Sequence, residues 1–494
     1  MSDDRRVIVI GSGPSGAVAA LTLLGKGIPV TMLESGRGFP AGLLVRAMGR
    51  NVYRRRPRWQ VSQRHVSSGD PGTLWYNHLV PVGLSNHWTG AIPRFAPEDF
   101  FEGERLHERY RWPVTYEDLV PYYEHAERLL VVVGNPQDVP NLPAPLVAYK
   151  RRLPKQWQRI ALHAASFGQG FTSLPLADGP PWMVRRTATG FNSFTQVVPL
   201  LRRFRDFQLL LGAHALRLEW CGQKKKVRSV IYFDQAARAE RRMCGAAVVV
   251  AAGPLSSTKL LLDSACADFP AGLGNTEGLL GRYLHDHAHQ WRAIEVDRAL
   301  PHLAHAAYLT RAPYRESPPL LAASCTIGSS SGAFLEKALG LMPLPTTSFG
   351  VVVFGTIVPA HENYVRLDPT LKDEFGCPML DIHIHYDAEV PRTMAAAWDR
   401  LRAIMESAGY RCTAREPLPP LTPGTSVHYG GTVRMHSLPK YGMLNAWNRL
   451  HAVDNVVVAD ASSFTTGVEK NPTLTAMALA ARAADRLAED LKLS

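Results

Sequence analysis

The sequence predicts an α/β protein built on a parallel sheet covered by helices, and three features carry that reading. The first is the apolar run Val7-Ile8-Val9-Ile10, which leads into Gly11-Ser12-Gly13-Pro14-Ser15-Gly16. The second is a helical stretch, Ala17 to Lys26, followed by another apolar run, Ile28 to Leu33, that closes at Glu34. The third lies near the other end, where Val456-Val457-Val458-Ala459-Asp460 is again an apolar strand ending in an acid. Unbroken apolar runs, rather than alternating ones, are what a strand covered on both faces requires.

Each part of the N-terminal unit has a physical reason. Gly11 makes the tight turn, Gly13 lets the backbone approach a pyrophosphate, and Gly16 lets the helix pack on the strand. The helix N-terminus then faces the phosphates, and Glu34, eighteen positions after Gly16, is placed to accept ribose hydroxyls. Further along, Tyr116 to Leu130 reads as a helix and the proline-rich Gly134 to Pro154 as a connection. Leu209–Leu218, Val227–Phe233 and Ala246–Ala251 read as strands of a small sheet, with the run Lys224-Lys225-Lys226 between them. Residues 300–347 are rich in Pro, Gly, Ser and His, and Gly328-Ser329-Ser330-Ser331-Gly332 reads as a mobile turn. Val351–Val358, Tyr364–Leu367 and Met379–His385 read as strands, Val390–Ala408 as a helix, and Glu416–Pro423, with four prolines, as a boundary. In the last segment Asn471 is a natural N-cap and Pro472 a natural first residue of an alanine-rich helix reaching about Leu491. Its dipole end at Pro472-Thr473-Leu474 suits an anion, or a ring that becomes anionic.

Composition narrows the classes. The chain has 494 residues, 46% hydrophobic and 20% charged, which excludes whole-chain disorder and gives ample material for a core without staples. Six cysteines occur without CxxC spacing, arguing against a zinc ribbon, an iron–sulfur site or a disulfide framework, so no metal is expected. The formal charge is +12, but Arg54-Arg55-Arg56-Pro57-Arg58, Lys150-Arg151-Arg152 and the lysine run are separate and form no nucleic-acid module. They read as solvated surface. No stretch of eighteen apolar residues occurs, so no membrane span is expected. The acidic start and short, glycine-broken apolar run do not read as a signal peptide, so the expected compartment is cytoplasmic.

These motifs together resemble the glucose–methanol–choline (GMC) family of flavoprotein oxidoreductases. The N-terminal motif resembles the family's FAD site. Val82-Gly83-Leu84-Ser85-Asn86-His87-Trp88 resembles its GGSSxHW flavin loop, with Leu84 in place of the second glycine. Ala251-Ala252-Gly253-Pro254-Leu255-Ser256-Ser257-Thr258 resembles its AAGxxxSP signature, with threonine for proline. His428, in His428-Tyr429-Gly430-Gly431-Thr432-Val433-Arg434-Met435, and Asn471 match its catalytic pair in the His–Asn version.

The resemblance implies a Rossmann-like FAD-binding domain assembled from residues 1–135, 195–290 and 427–494. An α+β substrate-binding domain, a sheet backed by helices, would take 136–194 and 291–426. It places Gly11, Gly13, Gly16 and Glu34 on the ADP half, Ala215 beside adenine, and Asp460 and Ala461 at pyrophosphate and flavin. Ser85, Asn86, His87, Trp88 and Thr89 fall in the flavin loop, with Thr89 near N5 and O4. Pro472 and Thr473 fall at the pyrimidine edge. It implies oxidation of an alcohol to a carbonyl, with His428 as base and Asn471 orienting the oxygen; a neutral imidazole suits that task near pH 7. A sugar or polyol is the favoured substrate, because Asn86-His87-Trp88-Thr89 resembles pyranose-oxidase-like members. Trp112-Pro113-Val114-Thr115-Tyr116 is similar to gluconate and fructose dehydrogenase large subunits. Oxygen or a quinone-like compound would be the electron acceptor. The alternatives are a non-redox member such as a hydroxynitrile lyase, or the flavin subunit of an electron-transferring complex. FAD is expected to be tightly bound but dissociable rather than linked to His87. His285-Asp286-His287-Ala288-His289 could form a metal-binding face on a strand, but the family has a similar GRxxxDH segment and a structural role is expected. His383 and His385 could line the pocket or sit in core or surface.

Overall fold

The computed structural model describes residues 5–37, 65–67, 72–86, 88–177, 191–303, 307–311, 323–329, 344–414 and 419–493. A five-stranded, all-parallel sheet runs in the order Val456–Val458, Ala247–Val250, Val7–Ile10, Val30–Glu34, Phe207–Leu211. The first, second and fourth of these in chain order, at 7–10, 30–34 and 247–250, are buried along their whole length, as their unbroken apolar runs require. Helix Pro14–Gly25 follows the glycine turn and buries its Ala/Val/Leu face on the sheet. Helix Thr473–Leu493 packs against it and against Tyr116–Leu130, because its buried face is mostly alanine and lets the axes approach. Thr115 and Asp118 cap Tyr116–Leu130 reciprocally, each side chain accepting the other's backbone N–H at 3.2 and 2.9 Å. The Tyr123 hydroxyl lies 2.9 Å from Thr475 Oγ1 and ties that helix to the C-terminal one.

A second core forms around a six-stranded antiparallel sheet ordered Cys412–Ala414, Ala288–Leu300, Thr346–Gly355, Ala323–Ser329, Ala307–Arg311, Gly170–Ser173. Helix Glu389–Ser407 covers it through Val390, Met394, Ala397, Trp398, Leu401 and Met405, one face at helical spacing. Helix Lys155–Ser166 adds the buried Trp157, whose ring meets Phe349 edge-on at 5.2 Å.

Four sequence expectations are corrected here. Leu209–Leu218 is not one strand: Gly212, at φ +68°, breaks it into Phe207–Leu211, on the parallel sheet, and Ala213–Cys221. The second half pairs with Lys226–Asp234, which also takes Ala239–Cys244, so the small sheet is an antiparallel meander. Ala246–Ala251 does not join that meander; as Ala247–Val250 it sits between Val7–Ile10 and Val456–Val458, where an apolar run can be covered on both faces. Tyr364–Lys372 and Pro378–His383 pair with each other and with His65–Ser67, apart from the sheet that holds Thr346–Gly355. Gly328 lies within a strand, opposite Gly350, whereas residues 330–332 of the expected turn fall outside the described residues.

Candidate active site

Strands Val7–Ile10 and Ala247–Val250 are adjacent and parallel, and Gly11 and Ala251 leave their carboxyl ends side by side. This is the switch point at which open α/β sheets take ligands. Gly11 has φ +104°, and a Cβ there would lie 2.3 Å from the Ala251 carbonyl oxygen. A Cβ on Gly16 would lie 2.1 Å from the Gly11 carbonyl oxygen, so helix and turn touch only because both are glycine. Gly13 has nothing nearer than 3.8 Å and leaves backbone exposed to the cleft.

Ser12, beyond the glycine pattern, organises the turn. Its hydroxyl donates to Glu34 Oε2 at 2.6 Å and its N–H to the same oxygen at 3.0 Å. Gly36 N–H donates to Glu34 Oε1 at 2.7 Å, and Val82 N–H donates to Ser12 Oγ at 3.1 Å. Burial pushes the Glu34 carboxyl up, and these hydrogen bonds pull it back. Asp460 does the same work across the cleft. Its Oδ2 accepts from Ser257 Oγ at 2.5 Å and Gly253 N–H at 3.0 Å, and its Oδ1 from Ser462 Oγ at 2.6 Å.

One cleft is lined by Gly11, Gly13, Glu34, Ser85, Ala215, Gly253, Asp460, Ala461, Pro472, Thr473 and His428. Those residues fit a dinucleotide: an acid for a ribose, glycine backbone and a helix N-terminus for phosphates, and a second helix N-terminus for an electron-rich ring. Gly16 packs beneath the turn rather than lining the cleft. In the flavin-loop motif, Ser85 and Leu84 face the cleft, but Asn86, Trp88 and Thr89 do not line it. Asn86 ties the loop together, donating to the Pro81 and Gly83 carbonyls at 2.8 and 2.9 Å and accepting from Asn192 Nδ2 at 2.9 Å. Trp88 Nε1 donates to the Phe191 carbonyl at 3.1 Å. His87 lies outside the described residues.

His428 and Asn471 come together from 43 residues apart: Asn471 Nδ2 lies 3.2 Å from His428 Nε2. An amide nitrogen only donates, so Nε2 is the acceptor of this contact. The segment that aims His428 is strained, with Val427, a β-branched residue, at φ +62°. It is held by the buried Asp286, whose Oδ1 accepts from His428 N–H at 2.8 Å and from the Ser426 hydroxyl. Burial pushes the Asp286 carboxyl up to about 6. His428 Nδ1 in turn lies 2.8 Å from Nδ1 of the buried His287, and Phe354 stands 5.0 Å from the His428 ring. Burial, with a smaller effect of His289, holds the His428 imidazole down to about 3, and burial followed by His428 itself holds His287 well below its ordinary value. Both rings are therefore neutral. Before Asn471, the fully buried Lys470 donates to Asp99 Oδ2 and to Glu469 Oε1, each at 2.7 Å, and pins the turn into the C-terminal helix.

Asp286 and His287 are the neighbours that sequence reasoning assigned only to structure. The regular strand starts at Ala288, so His285, His287 and His289 do not share one strand face, and no metal-binding group occurs among the described residues. His285 is packing: a Cβ on Gly430, Gly431 or Gly467 would come within 2.8 Å of its ring. The backbone pairing His285–Gly430 sets His287 beside His428, and neither segment alone carries a signal of it.

Comparison with known proteins agrees with this geometry. A family model described as GMC oxidoreductase matches residues 359–480. The chain is 26% identical to 2-methyl-1,2-propanediol dehydrogenase of Mycolicibacterium austroafricanum, over 98% of this chain and 95% of that one. It is 29% identical to 6'''-hydroxyparomomycin C oxidase of Streptomyces lividus, over 98% and 91%, and 23% identical to the fructose dehydrogenase large subunit of Gluconobacter japonicus, over 98% of each. The structure of pyridoxine 4-oxidase from Mesorbium loti superposes with a TM-score of 0.67 at 18% identity, covering 98% of this chain and 99% of that one. The family match covers the cleft's His-bearing segment and the likeness to these enzymes runs end to end, so GMC-type oxidoreductases are what the chain resembles along its whole length.

Proposed function

We propose that the protein is an FAD-dependent enzyme that oxidises an alcohol to a carbonyl, with His428 as general base and Asn471 as the group that orients the reacting oxygen. The observation that carries this reading is the His428–Asn471 contact at 3.2 Å, with His428 on the wall of a cleft whose far parts suit a dinucleotide and Asn471 buried behind it, next to the lining residue Pro472. FAD, when bound, supplies the two-electron acceptor for the hydride that leaves the alcohol carbon. His428 Nε2 accepts the hydroxyl proton, and Asn471 Nδ2 donates to the same oxygen without competing for that proton. The helix starting at Thr473 turns its positive end toward the cleft, where negative charge develops. Gly13 would bring its backbone N–H to the pyrophosphate, Gly11, whose own N–H donates to the Leu33 carbonyl at 2.9 Å, would make the turn that allows it, and Glu34 would take the ribose. In this reading the parallel-sheet core is the cofactor lobe and the six-stranded sheet the substrate lobe.

A sugar or polyol is the substrate class we favour, since the relatives named above are a propanediol dehydrogenase, a hydroxyparomomycin C oxidase and a fructose dehydrogenase large subunit. The last is a large subunit, which supports a quinone-like or protein acceptor as the counterpart to oxygen. The test is an anaerobic screen of diols, polyols and sugars that follows bleaching of the flavin absorbance. At least one should bleach it. A protein that turns over a cyanohydrin with its flavin unbleached would be a lyase instead, and contact of the bleached enzyme with air separates an oxidase from a dehydrogenase.

A further inference from the structure

We propose that His287 is a positioning residue for this reaction: through its Nδ1 it holds His428 in the tautomer whose Nε2 lone pair faces the cleft. The inference rests on the reading of His428 as the base. A neutral imidazole carries one N–H, and only the tautomer protonated at Nδ1 can take a proton at Nε2. In the free cleft Asn471 imposes that tautomer by donating to Nε2. An alcohol oxygen that comes between the two removes this constraint, because a hydroxyl both donates and accepts. Selection then falls to the other side of the ring.

There, His428 Nδ1 faces His287 Nδ1 at 2.8 Å, a distance that demands one donor and one acceptor. Asn471 donates to His428 Nε2 at 3.2 Å, so in the free cleft His428 Nδ1 is the donor to His287 Nδ1 and the single N–H of His287 sits on Nε2. The nearby Val468 carbonyl favours an N–H on the His287 ring in the same sense. While His287 keeps that tautomer, His428 Nδ1 stays the donor and its Nε2 is free as base. Both histidines are neutral, His287 is 3% exposed, and its backbone N–H donates to Ser426 Oγ at 3.2 Å, so the ring has little freedom to turn over. When His428 has taken the substrate proton, the same Nδ1–H···Nδ1 bond becomes charge-assisted and strengthens. This is the base-and-orienter arrangement with a neutral histidine in the orienting place.

The test uses the FAD-loaded protein labelled with ¹⁵N-histidine, with the His428 signals identified by their loss in His428→Gln. In the wild type His428 should show a protonated Nδ1 and a lone-pair Nε2. His287→Leu should shift it toward the Nε2–H tautomer and slow anaerobic flavin reduction by about ten- to a thousandfold at unchanged FAD content. His287→Asn, whose amide oxygen falls near the place of Nδ1, should restore the tautomer and most of the rate. A wild-type His428 protonated at Nε2 overturns the proposal. So does a His287→Leu protein that slows without a tautomer change, as lost packing alone would produce. If His287→Leu does not fold, the wild-type and His287→Asn spectra still decide. Should His428→Ala reduce flavin at full rate, the base itself is misassigned; should it abolish reduction while His287→Leu moves nothing, only the inference about His287 fails.

Discussion

His428 is held neutral by burial, with the ring of Phe354 at 5.0 Å and the uncharged His287 at hydrogen-bond distance. The first consequence is kinetic. With its pKa held down to about 3, the proposed base stays unprotonated across the neutral range, so flavin reduction should stay constant within about twofold from pH 8 to pH 5. An acid limb centred near pH 6.5 in stopped-flow reduction would show an ordinary, solvated histidine instead. The second consequence is thermodynamic. A histidine whose pKa is lower in the folded state binds fewer protons there than when unfolded, so its contribution is intact above pH 6.5 and is lost as pH falls toward 3. Asp286, pushed up to about 6, acts in the opposite sense, binding its proton in the folded state and costing stability as pH rises from 3.8 to 6. Denaturant titrations of wild type and His428→Ala at pH 7 and pH 5 remove that common background. The wild type should lose up to about 2 kcal/mol more on acidification than the variant. At this scale the meeting of His428 with Asn471 was legible, because each stands in a local motif. Asp286 and His287 were legible only as structural residues, because their contacts reach across 142 and 141 residues.

At the scale of elements, the glycine turn and the turn before the C-terminal helix bear most of the site. Gly16→Ala would drive a methyl group to within 2.1 Å of the Gly11 carbonyl, a backbone atom that cannot yield without moving the first strand. The expected result is a folded or partly folded protein that purifies without FAD, read from the ratio of absorbance near 450 nm to that at 280 nm. Lys470→Met would leave the buried Asp99 and Glu469 without their shared cation, and should cost about 3–5 kcal/mol in a denaturant titration. Because Asn471 is the next residue, the same variant should also slow flavin reduction. Strand–turn–helix units were legible because one run of residues sets each: the Val7–Ile10 strand, its glycine turn, and the helices at Tyr116–Leu130 and Glu389–Ser407. Membership of a sheet was not. Ala247–Val250 has the apolar run of a central strand, yet its neighbours come from residues 7–10 and 456–458, and only the fold brings these together.

Across the whole molecule, the two cores meet where the proposed chemistry lies. The segment Tyr283–His287 leads into the six-stranded sheet at Ala288, while His428 leads through Gly430 toward Asp460 and the parallel sheet. The proposed base, His428, touches one lobe through Asp286 and His287 and the other through Asn471. Fold class was legible in the sequence because both ends of the chain carry motifs of the same sheet. The cleft between the lobes was not, since its walls come from loops without periodicity. No helix among the described residues is long and apolar enough to cross a membrane. The most direct test of the account is the anaerobic reduction of bound FAD by one reactive alcohol, measured by stopped flow in the wild type and in His428→Ala at equal flavin content. The variant should keep its FAD and its visible spectrum while the first-order reduction rate falls at least about a hundredfold. Reduction of His428→Ala at the wild-type rate, or a wild-type protein that binds no FAD, would contradict it.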